Sequence, residues 1–251
     1  MTEHVTVERQ DRVLVIRFNR PAQLNALTQA MYGTIADGLE EAANDDALRA
    51  VVLTGNGDFF TSGNDLNDFA TSAPKGKPPV IRFLEALGSA PKPVIAAVNG
   101  PAIGVGLTML LHCDLIFASE TATFRAPFVH VGVVPEAGSS LLLPQAVGMA
   151  LANDIFLAGR TLTANEALSA GLISRVYSAE TLLEETLATA QEVAHLAPNA
   201  IRKTKQLVRS GHDTVRRQME LELPLFAEQL QSPEFAESVA AIKEKRAPHF
   251  D

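Results

Sequence analysis

Apolar positions fall into two rhythms along the chain. Short β-branched or apolar runs recur at Val5–Val7, Val13–Phe18, Ala50–Thr54, Pro93–Val98, Asp114–Ala118, Ala122–Arg125 and Leu172–Tyr177. Runs of this length bounded by Gly, Pro, Asn or Asp predict buried strands. The first two, separated by Glu8–Arg12, predict a hairpin. Between strands the period lengthens. Leu27, Met31, Ile35 and Leu39 repeat at i, i+4 around Thr28, a residue suited to cap a helix, although Gly33 and Gly38 lower the helical propensity of that stretch. Pro135–Ser140 turns the chain into an apolar helix ending near Gly148. Thr163-Ala-Asn-Glu166 has capping-box spacing, with Gly171 placed to end its helix. From Ser178 onward helical patterns alone continue, one starting at Ser232-Pro-Glu, where Pro233 suits the first helical position. The layout is α/β over roughly residues 1–177, followed by a helical tail. Residues 71–79 are rich in Pro and Gly and read as a mobile connection.

Composition narrows the function classes. The chain has 251 residues, 47% hydrophobic and 20% charged, with a net charge of −8. An acidic balance argues against a broad nucleic-acid surface and leaves room for a local basic pocket facing one anionic ligand. One cysteine, Cys113, permits neither an internal disulfide nor a thiolate metal cluster. No signal peptide or membrane-spanning run is read, nor a peroxisomal tripeptide in the closing Pro-His-Phe-Asp, so a cytoplasmic location is expected.

The most informative stretch is Val98-Asn-Gly-Pro-Ala-Ile-Gly-Val-Gly-Leu-Thr-Met-Leu-Leu-His112. It reads as strand, tight turn and helix, with unpaired N–H groups at the helix start where negative charge is favoured. The spacing G-x-x-x-G-x-G at Gly100, Gly104 and Gly106 is not the dinucleotide fingerprint. Taken alone, each glycine cluster equally fits a simple tight turn.

Four segments in order carry a resemblance: Asn19-Arg-Pro-Ala-Gln-Leu-Asn-Ala-Leu27, Phe60-Thr-Ser-Gly-Asn-Asp-Leu66, Asn99-Gly-Pro-Ala-Ile-Gly-Val-Gly106 and Phe128-Val-His-Val-Gly-Val-Val-Pro-Glu-Ala-Gly138. Together they resemble the crotonase superfamily of enoyl-CoA hydratases and isomerases, and Leu162–Ala167 and Gly171–Val176 fit as well. The resemblance implies a crotonase (ClpP/crotonase-like) α/β fold of stacked strand-strand-helix turns. It implies a core over 1–195 and a C-terminal helical region over 196–251 that supports homotrimers or hexamers. It also implies an acyl-CoA thioester as substrate, with no cofactor beyond the coenzyme A that the substrate carries. By the same match the thioester oxygen is held by the backbone N–H groups of Asn64 and Val105. Gln23, Leu24, Ala26, Ser62, Gly63, Asp65, Leu66 and Gly104 then stand around the CoA and thioester. Charge develops on that oxygen when a neighbouring carbon loses a proton, and fixed donors there stabilise the transition state by about 3 kcal/mol each.

The positions at which family hydratases resemble one another in carrying two glutamates are here Thr108 and Phe128. Neither transfers a proton as a carboxylate does. Glu136 instead matches the single acid/base of the peroxisomal-type Δ3,Δ2-enoyl-CoA isomerases, supported by Ser-Gly-Asn-Asp at 62–65 and Ala-Pro-Phe at 126–128. The expectation is an isomerase of fatty-acid metabolism. One carboxylate takes a proton from C2 of a 3-enoyl thioester and returns it to C4, and burial beside Val133 and Val134 raises its pKa. On pattern alone Glu136 also fits a first-turn glutamate favoured by a helix dipole. His130, in a strand-like context, fits an assistant or a structural histidine. His112 and Cys113 read as packing, Asp114 as a turn or cap, and Asp65 as ordering its own loop or meeting the adenine side. Arg20, Lys75, Lys77, Lys203 and Lys205 are either phosphate contacts or solvated charges. No His or carboxylate cluster has metal-ligand spacing, so no metal is expected. Two other readings remain: a different crotonase-type activity such as hydratase or thioesterase, and a non-catalytic acyl-CoA-binding protein.

Overall fold

The first two strands form the predicted hairpin, β1 (Val5–Gln10) against β2 (Val13–Phe18), turned at Asp11 with φ of 54°. From β2 onward the sheet is parallel and continues through β3 (Ala50–Gly55), β4 (Val94–Val98), β6 (Leu115–Ser119) and β9 (Arg175–Tyr177), in the order β1-β2-β3-β4-β6-β9. Its strands read as continuous apolar runs because helices cover both faces. The alternation along β2 shows the division. Leu14, Ile16 and Phe18 pack with Met31, Ile35 and Leu39 of α1 (Gln29–Asn44), whereas Val13 and Val15 pack with Leu182, Ala190 and Ala194 of α7 (Leu182–His195). The structure, a computed structural model, describes residues 3–65, 68 and 77–250.

Helix α1 starts where expected, with Thr28 accepting from the Met31 N–H. Its Gly38 costs up to about 1 kcal/mol of helix propensity relative to alanine. A Cβ there would lie 2.9 Å from Ile16 Cδ1, so the glycine lets α1 settle on β2.

A three-stranded second sheet comprises β5 (Ala102–Ile103), β7 (Thr123–Arg125) and β8 (Leu162–Thr163), in the order β5-β7-β8. The helix after the central turn, α3 (Val105–Thr108), is only one turn long and tightens into a 3-10 turn over Met109–His112. Helix α4 (Ser139–Val147) stops at Gly148 as its sequence predicts, and α5 (Met149–Leu157) follows directly. The capping box of α6 (Ala164–Ser169) forms in both directions, Glu166 N–H to Thr163 Oγ1 and Thr163 N–H to Glu166 Oε2.

Three expectations are corrected. Helix α2 (Pro79–Gly88) was not foreseen: it buries Phe83, Leu84 and Leu87, and Phe83 meets Tyr32 of α1 with ring centroids 5.2 Å apart. The strand expected over Leu172–Tyr177 covers only Arg175–Tyr177, with Leu172 and Ile173 buried as core side chains just ahead of it. His130 lies in a 3-10 turn, Val129–Val131, rather than a strand. Leu66, Lys75 and most of the expected connection over 71–79 lie outside the described residues.

The tail is helical: α8 (Pro198–Val208), α9 (His212–Gln229) and α10 (Pro233–Glu244), the last with Ser232 accepting from the Phe235 N–H and Pro233 at its first position. Asp114 fastens α8 to the main sheet. Its carboxylate accepts from the Val94 N–H at 2.8 Å, Lys205 Nζ at 2.6 Å and Arg209 Nε at 3.0 Å. Lys205 is therefore a structural cation here. No helix among the described residues is long and apolar enough to cross a membrane.

Candidate active site

Two glycine-bearing segments run side by side to form a ledge. Thr61 N–H donates to Pro101 O at 3.2 Å, and Ile103 N–H returns a bond to Thr61 O at 3.0 Å. Their close approach requires Gly106, where a Cβ would fall 2.7 Å from Thr61 Cγ2. A single parallel bridge joins Leu27 to Asn64 through Leu27 N–H to Gly63 O, 2.8 Å, and Asp65 N–H to Leu27 O, 2.9 Å. Because the residues flanking Asn64 supply those bonds, its own N–H faces the opposite side. Gly104 spends its N–H on Arg125 O at 2.9 Å, and Val105 then opens α3. The Val105 N–H is one of the unpaired donors at a helix start. With α3 a single turn long, this donor acts as an individual N–H more than through a macrodipole.

The remaining ledge residues predicted from sequence come together around it. Ser62 N–H donates to Leu24 O at 3.0 Å, and Ala26 N–H to Gln23 O at 2.9 Å. Asn25, buried with φ of 54°, nails this loop down through its side chain to Asn56 O and Phe59 O. Arg20 pairs with Asp65 at 2.6 Å and also donates to Ala26 O, so both side chains order the loop. Lys77 pairs with Glu85, and Lys203 is exposed on α8.

Glu136 lines the same cavity as Asn64 of the ledge. Ala137 and Gly138 both adopt the left-handed region, with φ of 60° and 71°, before α4 begins at Ser139. Glu136 thus precedes the helix and does not sit in its first turn, which corrects the dipole alternative. Thr108 Oγ1 donates to Glu136 Oε1 at 2.5 Å, and the His112 ring bonds Ala137 O through Nε2 at 2.7 Å. Burial pushes the Glu136 carboxyl up to about 7; the Thr108 bond works against this and the negative charge of Glu222 adds to it. Phe128, where a hydratase-type glutamate was sought, is 5% exposed and packs near Phe156.

Two side chains at the site carried no sequence signal. Tyr32 of α1, fully buried, donates its hydroxyl to Asn64 Oδ1 at 2.5 Å. Glu222 of α9 accepts from the Gly138 N–H at 2.6 Å across 84 residues of chain. Tyr32 sits in an ordinary amphipathic helix and Glu222 in a charged one, so neither stands out from its neighbours.

A cavity of about 630 Å³ opens between α2 and α9 with Asn64 and Glu136 in its wall. Val80, Ile81, Leu84, Met219, Leu223, Phe226 and Leu230 give it a mainly apolar lining. His130 does not border it. That side chain is exposed and lies against Gly159, where a Cβ would be 2.2 Å from the ring.

A buried carboxylate with raised pKa that shares the wall of an apolar cleft with Asn64 is an arrangement suited to moving protons on carbons near a carbonyl. The chain belongs to the enoyl-CoA hydratase/isomerase family, whose model matches residues 8–251. It is 36% identical over 250 residues to the 2,3-dehydroadipyl-CoA hydratase of Escherichia coli K12, covering 97% of both chains. It is 39% identical over 215 residues to human enoyl-CoA delta isomerase 2, covering 82% of this chain and 54% of that protein. The crystal structure of an enoyl-CoA hydratase/isomerase from Pseudoalteromonas atlantica T6c superposes with a TM-score of 0.96 at 56% identity, covering 99% of this chain and 100% of that one. The crotonase fold and the acyl-CoA chemistry of the family follow. Hydratases and isomerases both occur among its relatives.

Proposed function

We propose that the protein is an enoyl-CoA isomerase that moves a double bond from C3 to C2 of an acyl-CoA. The observation that carries this reading is the pairing of Thr108 with Glu136: the residue at one position expected of a hydratase glutamate instead holds the buried Glu136 carboxyl. Glu136 takes a proton from C2. The C2–H electron pair becomes the C1–C2 π bond and the carbonyl π pair moves onto the thioester oxygen, leaving a dienolate with its C3–C4 double bond intact, whose oxygen receives the N–H groups of Asn64 and Val105. The protonated Glu136 then delivers to C4: the C3–C4 π pair takes the proton, the C1–C2 pair moves into C2–C3 and the thioester carbonyl re-forms. A carboxyl near 7 suits both halves, accepting from one carbon and returning to another. The apolar cavity favours an uncharged acyl chain. The ledge from Gln23 to Asp65, with Gly104, supplies CoA and thioester contacts. Exposed Leu207, Val208, Leu221 and Leu225 in the helical region support assembly of several copies through residues 196–251.

Incubation with 3-trans-hexenoyl-CoA tests the reading: conjugated enoyl thioester absorbance rises with wild type and not with Glu136→Gln. Equal rates for the two proteins would overturn Glu136 as the base. A hydratase reading draws on Glu222, a second carboxylate at the cavity. Hydration of crotonyl-CoA faster than isomerisation would establish it instead.

A further inference from the structure

We infer that Glu222, on α9 of the C-terminal helical region, is a positioning residue for Glu136: it fastens the left-handed turn that carries the base and holds a negative charge beside it. The inference rests on the reading of Glu136 as the acid/base and extends it to an element far along the chain.

The turn needs fastening. Ala137 is a non-glycine residue at φ of 60°, a conformation kept only where surroundings over-determine it. Two elements supply the restraint from opposite sides. The His112 ring holds Ala137 O from the core. Glu222 holds the N–H side of that same peptide from the helical layer, with Oε2 accepting the Gly138 N–H at 2.6 Å and Oε1 accepting the Ser140 N–H at 3.1 Å and the Ser140 hydroxyl. Gln218, one turn earlier on α9, donates to Ser140 Oγ at 2.9 Å. That bond occupies the acceptor side of the hydroxyl and directs its proton to Glu222.

Three donors at the start of α4 meet the two oxygens of Glu222 and favour its ionised form, while burial outweighs them and raises its carboxyl above the ordinary value. The side chain is 5% exposed, and no cation pairs with it among the described residues. The titratable and charged groups around Glu136 are Tyr32 of α1, Glu85 of α2, His112 after α3, and Arg216, Glu220 and Glu222 of α9. Arg216 contacts Asp213 on its own helix at 3.4 Å and leaves the Glu222 charge uncompensated. A charge beside Glu136 opposes its ionisation and adds to the larger effect of burial, so the helical layer helps to fix where the base stands and adds to how readily it holds a proton.

The test is the pH dependence of kcat and KM for 3-trans-hexenoyl-CoA in Glu222→Ala, Glu222→Gln and Ser140→Ala. Loss of placement by fractions of an ångström is expected to lower kcat of Glu222→Ala about 10- to 100-fold, with KM changed less than about threefold. Glu222→Gln keeps one acceptor oxygen and regains part of kcat. Lacking the charge, it moves the acidic limb of the profile to lower pH. If both Glu222 variants keep kcat within about twofold of wild type with an unmoved acidic limb, the inference is overturned. A low kcat in Glu222→Ala with a wild-type limb in Glu222→Gln would also overturn it, reducing Glu222 to a structural bond. Should Glu222→Ala fail to fold by circular dichroism, Glu222→Gln and Ser140→Ala carry the test, the latter expected to lower kcat with no shift of the limb. Full activity of Glu136→Gln would instead sink the underlying assignment. An inactive Glu136→Gln beside wild-type Glu222 variants would sink this inference alone.

Discussion

The two halves of the site are built in different ways. The ledge carries the proposed main-chain donors of Asn64 and Val105 on loops held by glycines and by short bridges between them. The proposed base is one side chain whose charge is tuned by burial, Thr108 and Glu222 and whose turn is held by His112 and Glu222, residues from two distant parts of the sequence. Backbone donors tolerate almost any side chain provided that the loops approach closely enough. A tuned carboxylate tolerates little change in its own identity or its burial. The ledge should therefore respond to added volume, and the base to altered charge.

Glu136→Gln should lower kcat for 3-enoyl-CoA isomerisation by about 10²- to 10⁴-fold in single-turnover or steady-state assays, because the acid/base is removed while its shape remains. Gly106→Ala comes next: its Cβ would meet Thr61 Cγ2 at 2.7 Å and push the two segments apart. Loss of one correctly placed donor predicts a fall of about 10²-fold in kcat, accompanied by a lower Tm.

The third prediction concerns stability. Glu136 keeps its proton to about 7 in the fold and to 4.5 as an ordinary carboxyl. The fold is therefore favoured below the lower value and loses stability as pH rises through the higher one, a penalty on the order of 3 kcal/mol by pH 8. Glu136→Gln should be more stable than wild type to urea at pH 8 and should lose that advantage by about pH 4. An advantage that is the same at both pH values would show that the carboxylate is not buried as charge. Smaller still, Tyr32→Phe removes one hydroxyl bond to Asn64 and should cost about 1 kcal/mol in urea unfolding. Val105→Ala, which leaves the donor in place, should keep kcat within about threefold, with KM read alongside. A larger loss would mean that the side chain, and not the N–H, matters there.

Much of the ledge was legible because its signals are local. The glycines, the Thr28 cap, the Thr163–Glu166 box and the Pro233 start each depend on residues within a few positions of one another, and each formed where the pattern placed it. Helix α2 was missed because its start is crowded with prolines and lysines that read as connection, and its amphipathic face gains meaning only against α1. The roles of Arg20 and Lys205, open in the sequence between phosphate contact and solvated charge, were illegible for a related reason. Any surface-looking cation is read as solvated or ligand-facing until its carboxylate partner is known, here Asp65 and Asp114.

By itself the sequence determined the alternation of strands and helices, the glycine turns beside Asn64 and Val105, and the replacement of two glutamate positions by Thr108 and Phe128. These rest on backbone conformation and residue identity, which are written in adjacent positions. Tertiary structure alone decided that Glu136 precedes its helix, that Thr108 touches it, that Tyr32 reaches Asn64 and that Glu222 lies against its turn. Burial and charge proximity are properties of the packed chain, and a pKa near 7 for one glutamate exists only once distant elements have excluded water around it.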